Sequence, residues 1–239
     1  MTVTDLAVDV VGKGDTVLLV HGSGYRDWTW SDQLPLAERY RLVLPFRRGY
    51  GDSPDADPDF EGDAEDVAAL LDRPAHLVGF SYGGIGSLLA VARRPELVRS
   101  VTAIEPPAFG VALDDPVVRE LADKLQAVFE DEEQTPEQFG AAFAAAMGFE
   151  PRSPTPELIS VLQSFMRERS PHEAEIPSLD GVPALVVSGG WHPAFDRVCE
   201  AVAERTGGEL VRFEGTGHGA QHAPGFNERL VEFWESCGR

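Results

Sequence analysis

Gly79-Phe80-Ser81-Tyr82-Gly83 places a serine between two glycines, directly after the apolar run Ala75-His76-Leu77-Val78. That run is short enough for a buried strand. The residues that follow, Gly84-Ile85-Gly86-Ser87-Leu88-Leu89-Ala90-Val91-Ala92, are small and apolar, as in a helix packed on a sheet. Strand, sharp turn and helix are the context that makes a G-x-S-x-G match a nucleophile elbow. The turn strains the serine backbone, and Gly79 and Gly83 let neighbouring segments pass without a clash. The hydroxyl is then presented near the first N–H groups of the helix, where developing negative charge is stabilised. A glycine-rich loop with an incidental serine is the competing reading; the flanks and the partner motifs weigh against it.

A chain of 239 residues fits one α/β domain with an insertion, and at this size roughly 70–75% of the unfolded surface is buried. Its formal net charge of −20 argues against nucleic acid and anionic membranes as partners, and against strongly anionic substrates. The only lysines are Lys13 and Lys124, which with plentiful arginine reads as the coding bias of a GC-rich genome. Cys199 and Cys237 are far apart and match no metal or redox spacing. Met1-Thr2-Val3-Thr4-Asp5 has neither the basic start nor the apolar core of a leader, and no apolar run approaches membrane-spanning length. The expectation is a cytoplasmic protein, monomeric or homodimeric, that does not engage membranes.

Strand-like and helix-like segments alternate, which predicts a mostly parallel sheet covered on both faces. The strands are expected over 6–11, 16–20, 42–44, 76–78, 101–104, 185–187 and 210–213. Helices are expected over 31–39, 63–71, 82–93, 194–205 and 226–235. Between 107 and 180 the pattern changes to three amphipathic stretches, 117–130, 136–147 and 156–169, separated by proline-rich joints. This reads as a helical cap or lid inserted into a core made of 1–106 and 181–239.

A serine hydroxyl needs a base to take its proton. Among six histidines, His218 in Glu214-Gly215-Thr216-Gly217-His218-Gly219-Ala220 is the best placed, on a flexible loop after the last apolar strand. His222 is the alternative. Leu18-Leu19-Val20-His21-Gly22-Ser23-Gly24 is a second signal, a buried strand running into a loop whose backbone can point at an oxyanion. The donors would be the amides of Ser23 and Tyr82. Phosphate binding at this loop lacks the P-loop and dinucleotide spacings.

Together these motifs resemble the α/β-hydrolase superfamily. The likeness covers nearly the whole chain: His21-Gly22-Ser23-Gly24, Arg48-Gly49-Tyr50-Gly51-Asp52-Ser53, the Gly79–Gly84 elbow, and Gly217-His218. It implies a mostly parallel sheet flanked by helices, with a helical lid. Phe46 stands where many members carry an acidic residue before the structural turn. Most relatives also place the triad acid in the loop after the strand matching 184–187. Here that loop is Ser188-Gly189-Gly190-Trp191-His192-Pro193-Ala194-Phe195-Asp196, with His192 where an Asp would stand. Glu105 ends the strand-like run Ser100-Val101-Thr102-Ala103-Ile104 and is stopped by Pro106-Pro107. A carboxylate there lies at the ligand-binding edge of a parallel sheet. Glu105 is therefore favoured as the acid, with Asp196 as the alternative.

The resemblance implies a serine hydrolase of an ester, lactone, thioester or related acyl bond, working through Ser81, His218 and Glu105 without metal or organic cofactor. A C–C bond hydrolase, a biosynthetic cyclase or thioesterase, and a non-catalytic ligand-binding or signalling protein are the alternatives. Tyr25 and Phe80 are expected to line the substrate pocket, and the acidic balance predicts a neutral, moderately apolar small-molecule acyl substrate.

Overall fold

Four apolar runs form the centre of one seven-stranded sheet. The computed structural model describes residues 5–151 and 153–238; residues 1–4, on which the expectation about a leader rests, lie outside these. The strands are β1 (Val8–Val11), β2 (Asp15–Val20), β3 (Tyr40–Pro45), β4 (Ala75–Phe80), β5 (Val98–Ile104), β6 (Ala184–Ser188) and β7 (Glu209–Arg212). Their order is β1-β3-β2-β4-β5-β6-β7, with β1 antiparallel to β3 and every other pair parallel.

Helices α1 (Arg26–Thr29), α2 (Phe60–Leu70), α3 (Tyr82–Arg93), α4 (Pro116–Glu130), α5 (Pro136–Met147), α6 (Pro156–Phe165), α7 (Pro193–Thr206) and α8 (Phe226–Ser236) complete the chain. Alternate strand residues feed two cores, as the twofold period of a strand requires. Leu18, Leu77, Val101 and Val186 pack with α2, α3 and α7, whereas Leu19, Val78, Ile104 and Val187 pack with α8.

Between β5 and β6 the described chain has helices and no strand. Each of α4, α5 and α6 begins with a capping residue followed by proline: Asp115-Pro116, Thr135-Pro136 and Thr155-Pro156. The side-chain oxygen satisfies a first-turn N–H, and proline occupies the position where a missing N–H costs nothing. Phe139, Leu162 and Phe165 give α5 and α6 a small core of their own. Val118 and Leu121 of α4 instead join the main core.

Two expected helices change form. Residues 31–38 make a 3-10 helix, because Pro35 inside the segment cannot donate an α-helical hydrogen bond. The stretch 156–169 is α-helical only to Phe165. There the chain turns toward the sheet: Ser164 Oγ donates to Gly49 O, and the Arg169 N–H donates to Pro58 O at 3.1 Å.

The strand order determines where a site can form. From β2 the chain adds β3 on one side and β4 on the other, so a crevice opens beyond the C-terminal ends of β2 and β4. The loops after β2, β4, β5, β6 and β7 all reach that edge.

Candidate active site

Ser81 directly follows β4 and flanks the N-terminus of α3, at φ 51° and ψ −126°. A side-chain-bearing residue in this region is strained, and the surroundings must enforce it. Gly83 is one enforcing feature: a Cβ there would lie 2.2 Å from His21 O, so only glycine lets α3 start so close to the end of β2.

His218 reaches over the sheet edge from the loop after β7. The Ser81 hydroxyl donates to its Nε2 at 3.0 Å. On the other side, Nδ1–H donates to Glu105 Oε2 at 3.2 Å. A carboxylate can only accept, which assigns the proton to Nδ1 and leaves Nε2 to accept from the serine.

Glu105 is fully buried and, like Ser81, has a positive φ, of 49°. Its Oε1 accepts from Gly189 N–H at 2.6 Å and its Oε2 also accepts from Trp191 Nε1–H at 2.8 Å. Asp196, the alternative acid, is not brought to His218. It stands in the first turn of α7, where Ser188 Oγ–H donates to it and Arg212 Nε lies 3.8 Å away. His192 caps α7, its Nδ1 accepting from Ala194 N–H at 3.1 Å. His222 ends a single turn and pairs with Asp32 at 2.9 Å.

The His-Gly-Ser-Gly loop touches the elbow. A Cβ on Gly22 would lie 2.8 Å from Ser81 Cβ, whereas one on Gly24 would meet nothing within 4 Å. Of the two glycines, Gly22 alone makes the close approach. Among the described residues, the main-chain N–H groups of Ser23 and Tyr82 have no hydrogen-bond partner. The Tyr82 ring is buried beside Phe60, with its hydroxyl donating to Arg169 O at 2.8 Å.

Above Ser81 and His218 lies a cavity of about 660 Å³. Ser23, Tyr25 and Phe80 line its floor, and Phe143, Met147 and Leu162 from α5 and α6 line its roof. Phe80 also packs on His218, with ring centroids 5.0 Å apart. Trp28, half exposed, lines the cavity, while Trp30 is a core residue. Among the described residues, no Lys or Arg lines the cavity and no cluster of His, Cys, Asp and Glu has the makings of a metal site. No helix among them is long and apolar enough to cross a membrane.

Residues 17–229 match the Alpha/beta hydrolase family. The chain belongs to that family. A pimeloyl-[acyl-carrier protein] methyl ester esterase of Aeromonas hydrophila is 34% identical over 152 residues, covering 61% of this chain and 59% of that one. A second such esterase, from Methylococcus capsulatus, is 37% identical over 101 residues, 41% of this chain and 40% of its own. The chain thus spans about 40–60% of the length of these curated relatives. A 2-hydroxy-6-oxo-6-phenylhexa-2,4-dienoate hydrolase of Burkholderia cepacia aligns over 93% of this chain and 88% of its own at 27% identity. The crystal structure of an alpha/beta hydrolase fold protein from Burkholderia ambifaria superimposes with a TM-score of 0.64 at 25% identity, covering 95% of this chain and 92% of that one.

In this alpha/beta hydrolase, a buried cluster that sequence reasoning missed lies under the His-Gly-Ser-Gly loop. Arg47 pairs with Asp63 at 2.7 Å and with Glu168 at 2.9 Å. Glu168 also accepts from Tyr50 OH at 2.8 Å and from Ser23 Oγ–H at 2.5 Å. The arginine of the Arg47-to-Ser53 turn therefore has its acids, but from α2 and from the chain after α6 rather than from position 46. Burial pushes the Asp63 carboxyl up to about 6, against the pull of Arg47, and raises Glu168 in the same way. His21 is held neutral by burial and by the nearby Arg47 charge, its pKa pushed down to about 3. Its Nε2 accepts from Arg47 N–H at 3.0 Å, which fixes the turn to the end of β2. Trp191 is the other omission. A tryptophan in a Gly-Gly loop beside the expected acid position was the available signal.

Proposed function

We propose that this alpha/beta hydrolase cleaves a carboxylic ester or a related activated acyl bond through an acyl-enzyme intermediate. Ser81 Oγ attacks the carbonyl carbon as its proton passes to His218 Nε2. The carbonyl oxygen, now negative, is held by the N–H groups of Ser23 and Tyr82. On collapse, His218 returns the proton to the departing oxygen. Water then repeats the sequence on the acyl-serine: its proton goes to His218, its oxygen bonds to the acyl carbon, and Ser81 recovers its hydrogen. Glu105 keeps Nδ1 protonated and stabilises the imidazolium. Residues 107–180 act as the cap that covers the acyl group.

The observation that carries this reading is the Ser81–His218–Glu105 hydrogen-bonded chain opening into an apolar cavity. It fits the names of the esterase relatives. The longer alignment with the dienoate hydrolase supports carbon–carbon cleavage as a second reading. Against that reading, a dienoate carries a carboxylate. The charged side chains described at this cavity are Glu137 and Glu150, which repel one. The substrate is accordingly a neutral, moderately apolar acyl compound.

A fluorophosphonate, followed by mass spectrometry, tests the chemistry directly: label is expected on Ser81 of folded protein and lost in His218→Ala. Unlabelled Ser81 would favour a ligand-binding protein. A panel of p-nitrophenyl esters, with a dienoate as competitor, tests the substrate class.

A further inference from the structure

We infer that Trp191 is a positioning residue for Glu105, and that the proposed cap holds it in place through Phe149. This rests on the hydrolase reading above. Three N–H donors converge on the Glu105 carboxylate, and two of them share Oε2: Trp191 Nε1 at 2.8 Å and His218 Nδ1 at 3.2 Å. The indole bond is the shorter. An indole has one donor, fixed in the ring plane, so the orientation of the ring decides where that oxygen sits.

The ring is itself held. Phe149, in the segment between α5 and α6, stacks on Trp191 with centroids 4.9 Å apart and planes 21° apart. Phe195 of α7 packs against it at 5.5 Å, and His218 lies edge-on at 6.0 Å. Phe149 also lines the cavity, so it touches the acyl-binding space on one side and the indole on the other. His218 contacts Glu105, and the Glu105 charge also acts on His192 at the start of α7 and on the Cys199 thiol within that helix. Trp191 contributes a donor without a charge. It draws on the same oxygen that stabilises the imidazolium, and so sets both the carboxylate's orientation and how much of its charge reaches His218.

The closing experiment separates this inference from the hydrolase reading. If wild-type Ser81 takes no fluorophosphonate label, that reading falls and this inference with it. In a labelling wild type, Trp191→Phe is expected to lower kcat about tenfold with KM within about twofold. The acid limb of kcat/KM should shift as well, because Oε2 then meets one N–H donor instead of two. Phe149→Ala should raise KM in both backgrounds but lower kcat only where Trp191 is present. The assigned indole N–H resonance of Trp191 should move when Glu105 becomes Gln, a readout that needs neither activity nor a folded Trp191→Phe variant. A Trp191→Phe enzyme with unchanged kcat and pH limb, or an indole resonance indifferent to Glu105→Gln, overturns the inference.

Discussion

Replacing Glu105 by Gln keeps the side chain's shape and removes its charge, and the surrounding donors dictate the result. The carboxylate receives Gly189 N–H on one oxygen and both Trp191 and His218 on the other. A glutamine has one oxygen to offer. With that oxygen toward Trp191 and His218, its NH2 group faces the Gly189 N–H at the 2.6 Å position and one donor goes unsatisfied. With the amide turned round, two donors lose their acceptor. The first arrangement is the cheaper and costs about 1–3 kcal/mol of folding stability. The catalytic loss is larger, because a neutral amide, even while it accepts Nδ1–H, cannot balance the imidazolium. Loss of the acid from such a triad lowers kcat by about 10⁴, and at ~1.4 kcal/mol per decade that is roughly 5.5 kcal/mol of barrier. Asp196→Asn keeps an oxygen that can accept from Ser188 and removes only a negative charge near Arg212, so kcat should stay within about twofold. Hydrolysis of a p-nitrophenyl ester by both variants, with urea unfolding as control, measures the contrast. Glu105→Gln retaining a tenth of the wild-type kcat, or an equal loss from Asp196→Asn, would refute the assignment.

Three further outcomes follow from the same geometry. Glu168→Ala strands the buried Arg47 with Asp63 alone and should destabilise the protein by about 3–5 kcal/mol in urea, while Glu168→Gln costs less. Gly22→Ala puts a methyl 2.8 Å from Ser81 Cβ and 3.0 Å from Phe80 O, and should suppress fluorophosphonate labelling and lower Tm; a normally labelled variant of unchanged Tm would contradict the packing of loop on elbow. Burial pushes His76 down to about 4, so its contribution to stability is complete above pH 6.5 and is lost as pH falls toward 4. His76→Phe should therefore flatten the pH dependence of unfolding free energy near pH 5 by about 1.4 kcal/mol per unit. Equal slopes for variant and wild type would show that His76 is protonated in the folded state.

Much of the fold was legible because its elements are specified locally. The buried strands are short apolar runs, and the helices between β5 and β6 begin at cap-proline pairs that need no tertiary information. Pro35 carried the opposite warning, and the helix expected there became 3-10. The serine, the histidine and the His-Gly-Ser-Gly loop were readable for a related reason: each follows a strand, and strand ends share one edge. The Arg47 cluster was not readable. Its members Ser23, Arg47, Asp63 and Glu168 come from four segments, and no local pattern announces that residues 23 and 168 will be hydrogen-bonded. Nor does anything in the sequence near Glu168 distinguish it from the exposed acids that dominate this chain.

The location of the proposed acid follows from the packing of two loops. A Cβ on Gly189 would lie 1.9 Å from Gly217 O, so the loop after β6 runs directly against the loop that carries His218. A carboxylate side chain at 189 has no space there. The strand next to it is β5, paired to β6 through Ile104 and Val187, and the residue after Ile104 is Glu105. Its left-handed backbone and extra methylene let it reach under His218 from one strand further away. The loop after β6 keeps a role, but the opposite one: through Gly189 N–H and Trp191 Nε1–H it supplies donors where it would otherwise supply the acceptor. The exchange is testable. Placing an acid at the start of that loop, as Glu105→Gln combined with Gly189→Asp, should fail to restore ester hydrolysis, because the new side chain collides with Gly217 rather than meeting His218. Recovery of activity in that double variant would show that loop packing does not decide where the acid sits.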